Sequence, residues 1–426
     1  MRGLLALPLA LAFLLGGCKS TLKQDLGVMP AGAYAALYPY YVEVCAASEF
    51  KKRPGSIGPA IKGGGRGGHQ VVYLNGVCRA GEAGNRTLAL CAEGKTAPTD
   101  GVGISVNAHY KNAKWVATPG REFFFHGVLK PGEALTAEAY QRTITKAQTL
   151  GIYDGVAFHA ETLENQPSDE TTPDFTYMVS LGTDYALSYA RDRYCARVPV
   201  SRAQMSEVVN YLNAINAPYA GGAQEFQWGV LSDNCAHLSR NALAKLGIWK
   251  GWATHKPYLS ALFSFPVPKN EFVNLMRRTN DMPIGDIEAL YDDPYAREAL
   301  MKEGIIATQP GALAELERAV QENAVYDPDV SLIFYDDPTL GPYERRYQRI
   351  LAEPRYWDLR ANLDYFAGLY QHIQADRKPL EFYLEKRGGS QAERTDFAAF
   401  YARYYDYIAK ESAAVAEARM RLGPAQ

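Results

Sequence analysis

After residue 15 the chain has no apolar run approaching the roughly 20 residues that a membrane-spanning helix needs. It has little excess of charge, with 45 Lys and Arg against 47 Asp and Glu for a net of −2. It also has no basic block, which argues against nucleic acid as a partner. No Cys-x-x-Cys pair occurs, so zinc and dithiol redox sites lack sequence support. H-E-x-x-H and G-x-S-x-G are both missing, and with them two large hydrolase signatures. Gly63 to Gly68 is a glycine-rich stretch without the Gly-Lys-Ser/Thr ending of a phosphate loop. His159-Ala160-Glu161 has no Pro-Cys-x-x-Cys partner, as a zinc deaminase would require. Neither a metal nor a cofactor is implied.

What is present begins at the N-terminus. Met1-Arg2 is followed by an apolar run from Leu4 to Leu15 and then by Gly16-Gly17-Cys18. One positive charge ahead of about a dozen apolar residues reads as a secretory signal over 1–17. Small residues before a cysteine resemble the lipid-attachment site of bacterial lipoproteins. This implies lipid on Cys18, a tether over 18–30 and a membrane contact through the anchor. Lys19, where Asp would signal inner-membrane retention, implies the outer membrane, facing the periplasm. Cys45, Cys78, Cys91, Cys195 and Cys235 then remain, an odd number, and in an oxidising compartment that points to one free thiol.

The pattern along the chain is that of an α+β protein. From 31 to about 160, β-rich runs alternate with Gly, Asn and Pro: Tyr41–Cys45, His69–Leu74, Leu88–Cys91, Gly103–Val106, Trp115–Ala117, Glu122–His126 and Gly155–His159. Ser201 reads as the N-cap of a helix through Met205, Val208, Val209 and Leu212, ending near Asn213. A second helix starts near Asp233 or Asn234, with Leu238, Ala242 and Leu246 on one stripe and Gly247 at its end. Beyond about 270, helical periodicity takes over. Phe397, Phe400, Tyr401, Tyr404 and Ile408 repeat at steps of three and four, which is the spacing of a helix-packing core. The expected organisation is one domain over 31–270 and an all-helical one over 271–426, the latter a candidate surface for a protein partner.

Cys235 opens the second helix, behind the cap residues Asp233 and Asn234. Free backbone N–H groups and the helix dipole favour a thiolate at such a position. A cysteine nucleophile needs a base, usually histidine. His237 stands two residues on, about 200° round the helix, and is poorly placed. His69 opens an apolar strand behind the glycine-rich stretch and is better placed to face a cleft.

Gly67-Gly68-His69 before an apolar strand, and much later Asn234-Cys235-Ala236-His237-Leu238 opening a helix, resemble the circularly permuted papain-like superfamily. That group includes permuted NlpC-like hydrolases and lecithin–retinol acyltransferase-like enzymes, the latter with an Asn-Cys-Glu-His-Phe motif. The resemblance covers about 30–260. It implies an antiparallel sheet packed on a cysteine-bearing helix, with Cys235 as nucleophile and His69 as base. A third polar residue from a neighbouring strand should orient the imidazole. Glu93, Asn107 and His109 are the candidates, with His109 preferred. With Cys235 free, Cys78 with Cys91 across a glycine-rich turn and Cys45 with Cys195 is one of three pairings for the other four. The activity implied is an envelope cysteine hydrolase acting on an amide bond, with cell-wall (peptidoglycan) peptide as substrate. An acyl-ester, thioester or lipid acyl transfer reaction and a non-catalytic scaffold are the alternatives.

Overall fold

The computed structural model describes residues 18–20, 25–26, 29–59, 68–81, 87–92, 100–230, 232–254, 267–329, 332–334 and 342–423. The signal segment 1–17, the side chain of Cys18 and the candidate Glu93 lie outside the described residues. No described helix is long and apolar enough to cross a membrane.

The fold is α+β, with an antiparallel sheet and a helical C-terminal region. Six strands make the sheet: β1 (Tyr41–Ala47), β2 (His69–Asn75), β3 (Gly101–Ser105), β4 (Val116–Pro119), β5 (Arg193–Pro199) and β6 (Leu313–Glu317). Their order is β6-β5-β1-β2-β3-β4, antiparallel throughout. The central pairs are in strict register, with Ala47 opposite His69 and Cys45 opposite Cys195. Because side chains alternate across a strand, each central strand feeds two cores. Val42, Val44, Val72, Leu74 and Ile104 face the front, and Tyr41, Cys45, Val71, Tyr73 and Cys195 face the back.

The helices that matter for the sheet are α1 (Ala31–Leu37), α2 (Arg121–His126), α3 (Arg202–Ala220), α4 (Cys235–Ala244), α5 (Pro268–Asn280), α6 (Leu359–Ala375) and α7 (Gln391–Leu422). The front is covered by α4 against β2 and by α5 against β1 and β5. On the back, α2 lies against β3 and β4. The back core runs on into α6 and α7, where Phe397, Phe400, Tyr401, Tyr404 and Ile408 are buried as a packing stripe.

Several elements differ from expectation. Glu122–His126 is helical. Phe124 fills the space over Gly103, where a Cβ would come within 2.1 Å of the ring, and three consecutive aromatics look strand-like only when that partner is unknown. Gly155–His159 is a turn that makes a single bridge, Tyr110 with Phe158. α3 has the expected Ser201 cap, as a capping box with Gln204, but runs on to Ala220. The region 271–426 is not purely helical, since β6 is an edge strand of the main sheet. The boundary at 270 falls inside α5, so the two expected domains share one sheet. The 18–30 segment is held at its described residues: Leu26 and Leu316 exchange backbone hydrogen bonds of 2.9 and 2.8 Å. That contact covers part of an otherwise open sheet edge.

The back face carries a buried ionic network. Glu43 on β1 accepts two hydrogen bonds from Arg121, at 3.0 and 2.9 Å, and lies 3.6 Å from both Arg193 and Arg197. These arginines also pair with Glu315 and Glu317 on β6. Burial pushes the Glu43 carboxyl up, but the charges of Arg121, Arg197 and Arg193 outweigh it and hold it at about 2. A carboxylate depressed in this way stabilises the fold above its unfolded value of about 4.3. That contribution is lost as pH falls from there toward 2. Arg121→Met leaves Glu43 without its two-point partner and should cost roughly 3–5 kcal/mol, as breaking a buried pair does. Urea unfolding should also show the variant's acid transition at higher pH than the wild type's. An unchanged acid midpoint would contradict this reading.

Candidate active site around Cys235

Asn234 adopts extended backbone and caps α4, its side chain accepting from the Ala236 and His237 N–H groups at 2.9 and 3.2 Å. Its own amide donates to the Val230 carbonyl at 2.6 Å. The preceding Asp233 forms a buried ion pair of 2.5 Å with Lys114. Cys235 is thereby held as the first helical residue. The disulfides are Cys45–Cys195 and Cys78–Cys91, and Cys235 is a free thiol, buried among its neighbours.

The sulfur is surrounded by backbone donors, the N–H groups of Gln70, Ala236 and Cys235 itself. Gln70 follows His69 directly, so the nucleophile candidate and the base candidate lie at the same end of β2. Strand alternation sends the His69 ring to the back face with Val71 and Tyr73, whereas α4 lies on the front. Among the described residues no hydrogen bond joins the ring and the sulfur.

The ring is held by a residue the sequence reading did not name. His69 Nε2 lies 3.0 Å from Ser105 Oγ on the neighbouring strand β3. The Ser105 hydroxyl in turn donates to Asp184 Oδ1 at 2.7 Å. A hydroxyl whose proton is spent on a carboxylate can only accept from the ring, so Nε2 carries the proton and Nδ1 is the bare nitrogen. The Thr183 carbonyl, 3.2 Å from the same hydroxyl, is a second acceptor for its proton.

Asp184 is fully buried. It also accepts from Asn107 at 3.2 Å, from Tyr153 at 2.8 Å and from Tyr110. Of the orienting candidates, Asn107 therefore joins the network one step behind Ser105. His109 does not: its Nδ1 lies 3.1 Å from Thr162 Oγ1 and its ring stacks on Phe158. His237 Nδ1 is 3.1 Å from Asn234 Oδ1. Strand alternation places Gly101, Gly103 and Ser105 on one face and could have indicated Ser105. Asp184 lies in a distant turn and left no such signal.

Arg191 supplies positive charge. It is buried, stacks at 4.2 Å on Phe50, and donates to the carbonyls of Gly182 at 2.7 Å and Ser48 at 2.5 Å. Burial first, and this guanidinium second, hold the His69 ring down to about 3, so it is neutral at physiological pH. Burial pushes the Cys235 thiol above its ordinary value, with the backbone donors and Arg191 acting against that. The resting pair is thus thiol and imidazole, not the thiolate expected from the helix terminus, because loss of hydration outweighs the dipole. The one group of metal-ligand side chains among the described residues is Glu43, Cys45 and Cys195. Its two sulfurs are joined to each other.

No family model, curated protein or solved structure matches the chain.

Alkylation of Cys235 by iodoacetamide should accelerate only above the ordinary thiol range near pH 8.5. In Arg191→Met, where the favourable charge is gone, the profile should move further up. A rate already at its plateau at pH 5 would contradict the neutral resting pair.

Proposed function

We propose that the chain is an exported, lipid-anchored cysteine hydrolase of the bacterial envelope that cleaves an amide bond, with cell-wall peptide as substrate. The observation that carries this reading is the free Cys235 thiol on a capped helix start, ringed by backbone donors. Its sulfur meets the N–H of Gln70, the residue after His69, whose Nε2 is hydrogen-bonded to Ser105 and through it to Asp184. The order of elements, a histidine strand before a cysteine helix packed on it, supports the likeness to permuted papain-like hydrolases. The signal-like 1–17 and Cys18 support the location.

In this mechanism the Cys235 sulfur attacks the carbonyl carbon while Nδ1 of His69 takes the thiol proton. In the resting site the ring faces the back of β2 and the sulfur lies on the front, so this step requires the start of β2 to turn the His69 ring toward Cys235 when substrate binds. Backbone N–H groups of Cys235 and Gln70 stabilise the oxyanion. Collapse breaks the C–N bond, and the imidazolium returns its proton to the leaving amine. Water, deprotonated by the same ring, then cleaves the thioester and restores the thiol. Ser105 and Asp184 act through His69 as positioning residues.

Acyl-ester or lipid acyl transfer is the second reading. It is favoured by Trp228 and Val230, 41% and 53% exposed on the loop running into Asn234. Incubation with p-nitrophenyl acyl esters and with cell-wall peptides, followed by mass spectrometry, tests both. The expected result is an acyl adduct on Cys235, absent in Cys235→Ala, formed about 10²–10⁴ times more slowly in His69→Ala. Water-dependent release identifies a hydrolase, and passage to an added nucleophile a transferase. Acylation of Cys235 at equal rates in wild type and His69→Ala would leave the scaffold reading in its place.

A further inference from the structure

Lys269, in the first turn of α5, is 0% exposed, and its Nζ has no hydrogen-bond partner among the described residues. Leaving an ammonium in the interior unpaired costs several kcal/mol, so its position calls for a counter-charge. Burial holds it down to about 8, with Glu49 within electrostatic reach and opposing that shift, and Arg191 adding to it. No ion pair joins Lys269 to Glu49 among the described residues.

The location is informative. Gly68 directly precedes His69 and has φ +76°. A Cβ there would fall 3.1 Å from Lys269 Cε and 3.3 Å from its Nζ, and 2.5 Å from the Ala47 carbonyl. The ammonium therefore lies against the backbone that leads into His69 and then to the Gln70 N–H at the Cys235 sulfur. Two buried cations thus stand at the end of β2 that carries Gly68 and Gln70: Lys269 against Gly68, and Arg191 within electrostatic reach of both Lys269 and the Cys235 thiol. The Arg191 donors are spent on Ser48, Gly182 and Thr183. Lys269 alone keeps its three donors for a ligand.

We propose that Lys269 anchors an anionic group of the substrate, so that the acyl compound processed at Cys235 carries a carboxylate close to its reacting carbonyl. This rests on the reading of Cys235 as a nucleophile. The thiol is 8% and the lysine 0% exposed, so a carboxylate paired with Lys269 would be held away from water. Charge-assisted pairing of ammonium with carboxylate, away from water, supplies the selectivity.

The test needs no knowledge of the natural substrate. Second-order rates of Cys235 alkylation by iodoacetate and by iodoacetamide are measured on the full chain, with peptide mass mapping of the modified residue. The ratio of the two rates is compared with that of a free thiol in the same buffer. Wild type should favour iodoacetate by roughly tenfold or more over the free thiol, the scale of one charge-assisted hydrogen bond. Lys269→Met should bring the ratio back to that of the free thiol, and Lys269→Arg should keep most of the preference. Removal of an unpaired buried charge should not lower the Tm, and Lys269→Gln serves as a second neutral variant if the Met form fails to fold. An iodoacetate preference absent in wild type, or unchanged in the neutral variants, overturns the anchor while leaving the nucleophile reading intact. Failure of both reagents to modify Cys235 overturns the nucleophile reading and the anchor with it.

Discussion

One buried carboxylate organises the site. Asp184 takes hydrogen bonds from Ser105, Asn107, Tyr110 and Tyr153, and so ties β3, the loop after it and the Tyr153 turn to a single point. A buried charge is tolerable only when its lone pairs are filled, and here all of the filling groups are neutral. The turn that presents it is tight. Gly182 has φ +78°, and Ala186, at φ +50°, is the one non-glycine residue in the left-handed region among the described residues. A left-handed alanine costs about 1–2 kcal/mol, and here it stands two residues after Asp184, on which the orientation of His69 depends. Through Ser105, Asp184 decides which nitrogen of His69 holds the proton, and hence which one is free to take one.

The sheet transmits order from the C-terminal half to this site. β1 is hydrogen-bonded on one side to β2, which begins at His69, and on the other to β5, and β5 pairs with β6. The Cys45–Cys195 disulfide joins β1 to β5 at directly opposed positions. Glu43, Glu315 and Glu317 meet Arg121, Arg193 and Arg197 along the same face. These interactions make 271–426 part of the architecture that holds β2 in place. They give that region a structural role alongside any surface it offers to a partner.

Much of this was legible in the sequence where the deciding physics is local. The Ser201 capping box, the Asn234 cap and the stripe of Phe397, Phe400, Tyr401, Tyr404 and Ile408 depend on neighbours three or four residues away. Cys235 could be set apart as the odd cysteine, and β2 could be read from His69 onward. What was not legible depends on distant partners. Asp184 is 79 residues from Ser105, and nothing in its own turn announces it. β6 is five residues of alternation inside a helical region, and it becomes a strand only because β5 offers an edge. The thiolate expected at the helix start gave way because burial, a tertiary property, opposes the dipole.

The proposed chemistry turns on the protonation of His69. The most direct measurement is nitrogen-15 NMR of the ring across pH 4–9 in protein labelled at histidine. The expected result is a neutral ring throughout that range, protonated at Nε2 with Nδ1 bare, and loss of that single tautomer in Ser105→Ala. A ring that titrates near its ordinary value of about 6.5, or one protonated at Nδ1, would contradict the role given to Ser105 and Asp184 and remove His69 as the proposed base for Cys235.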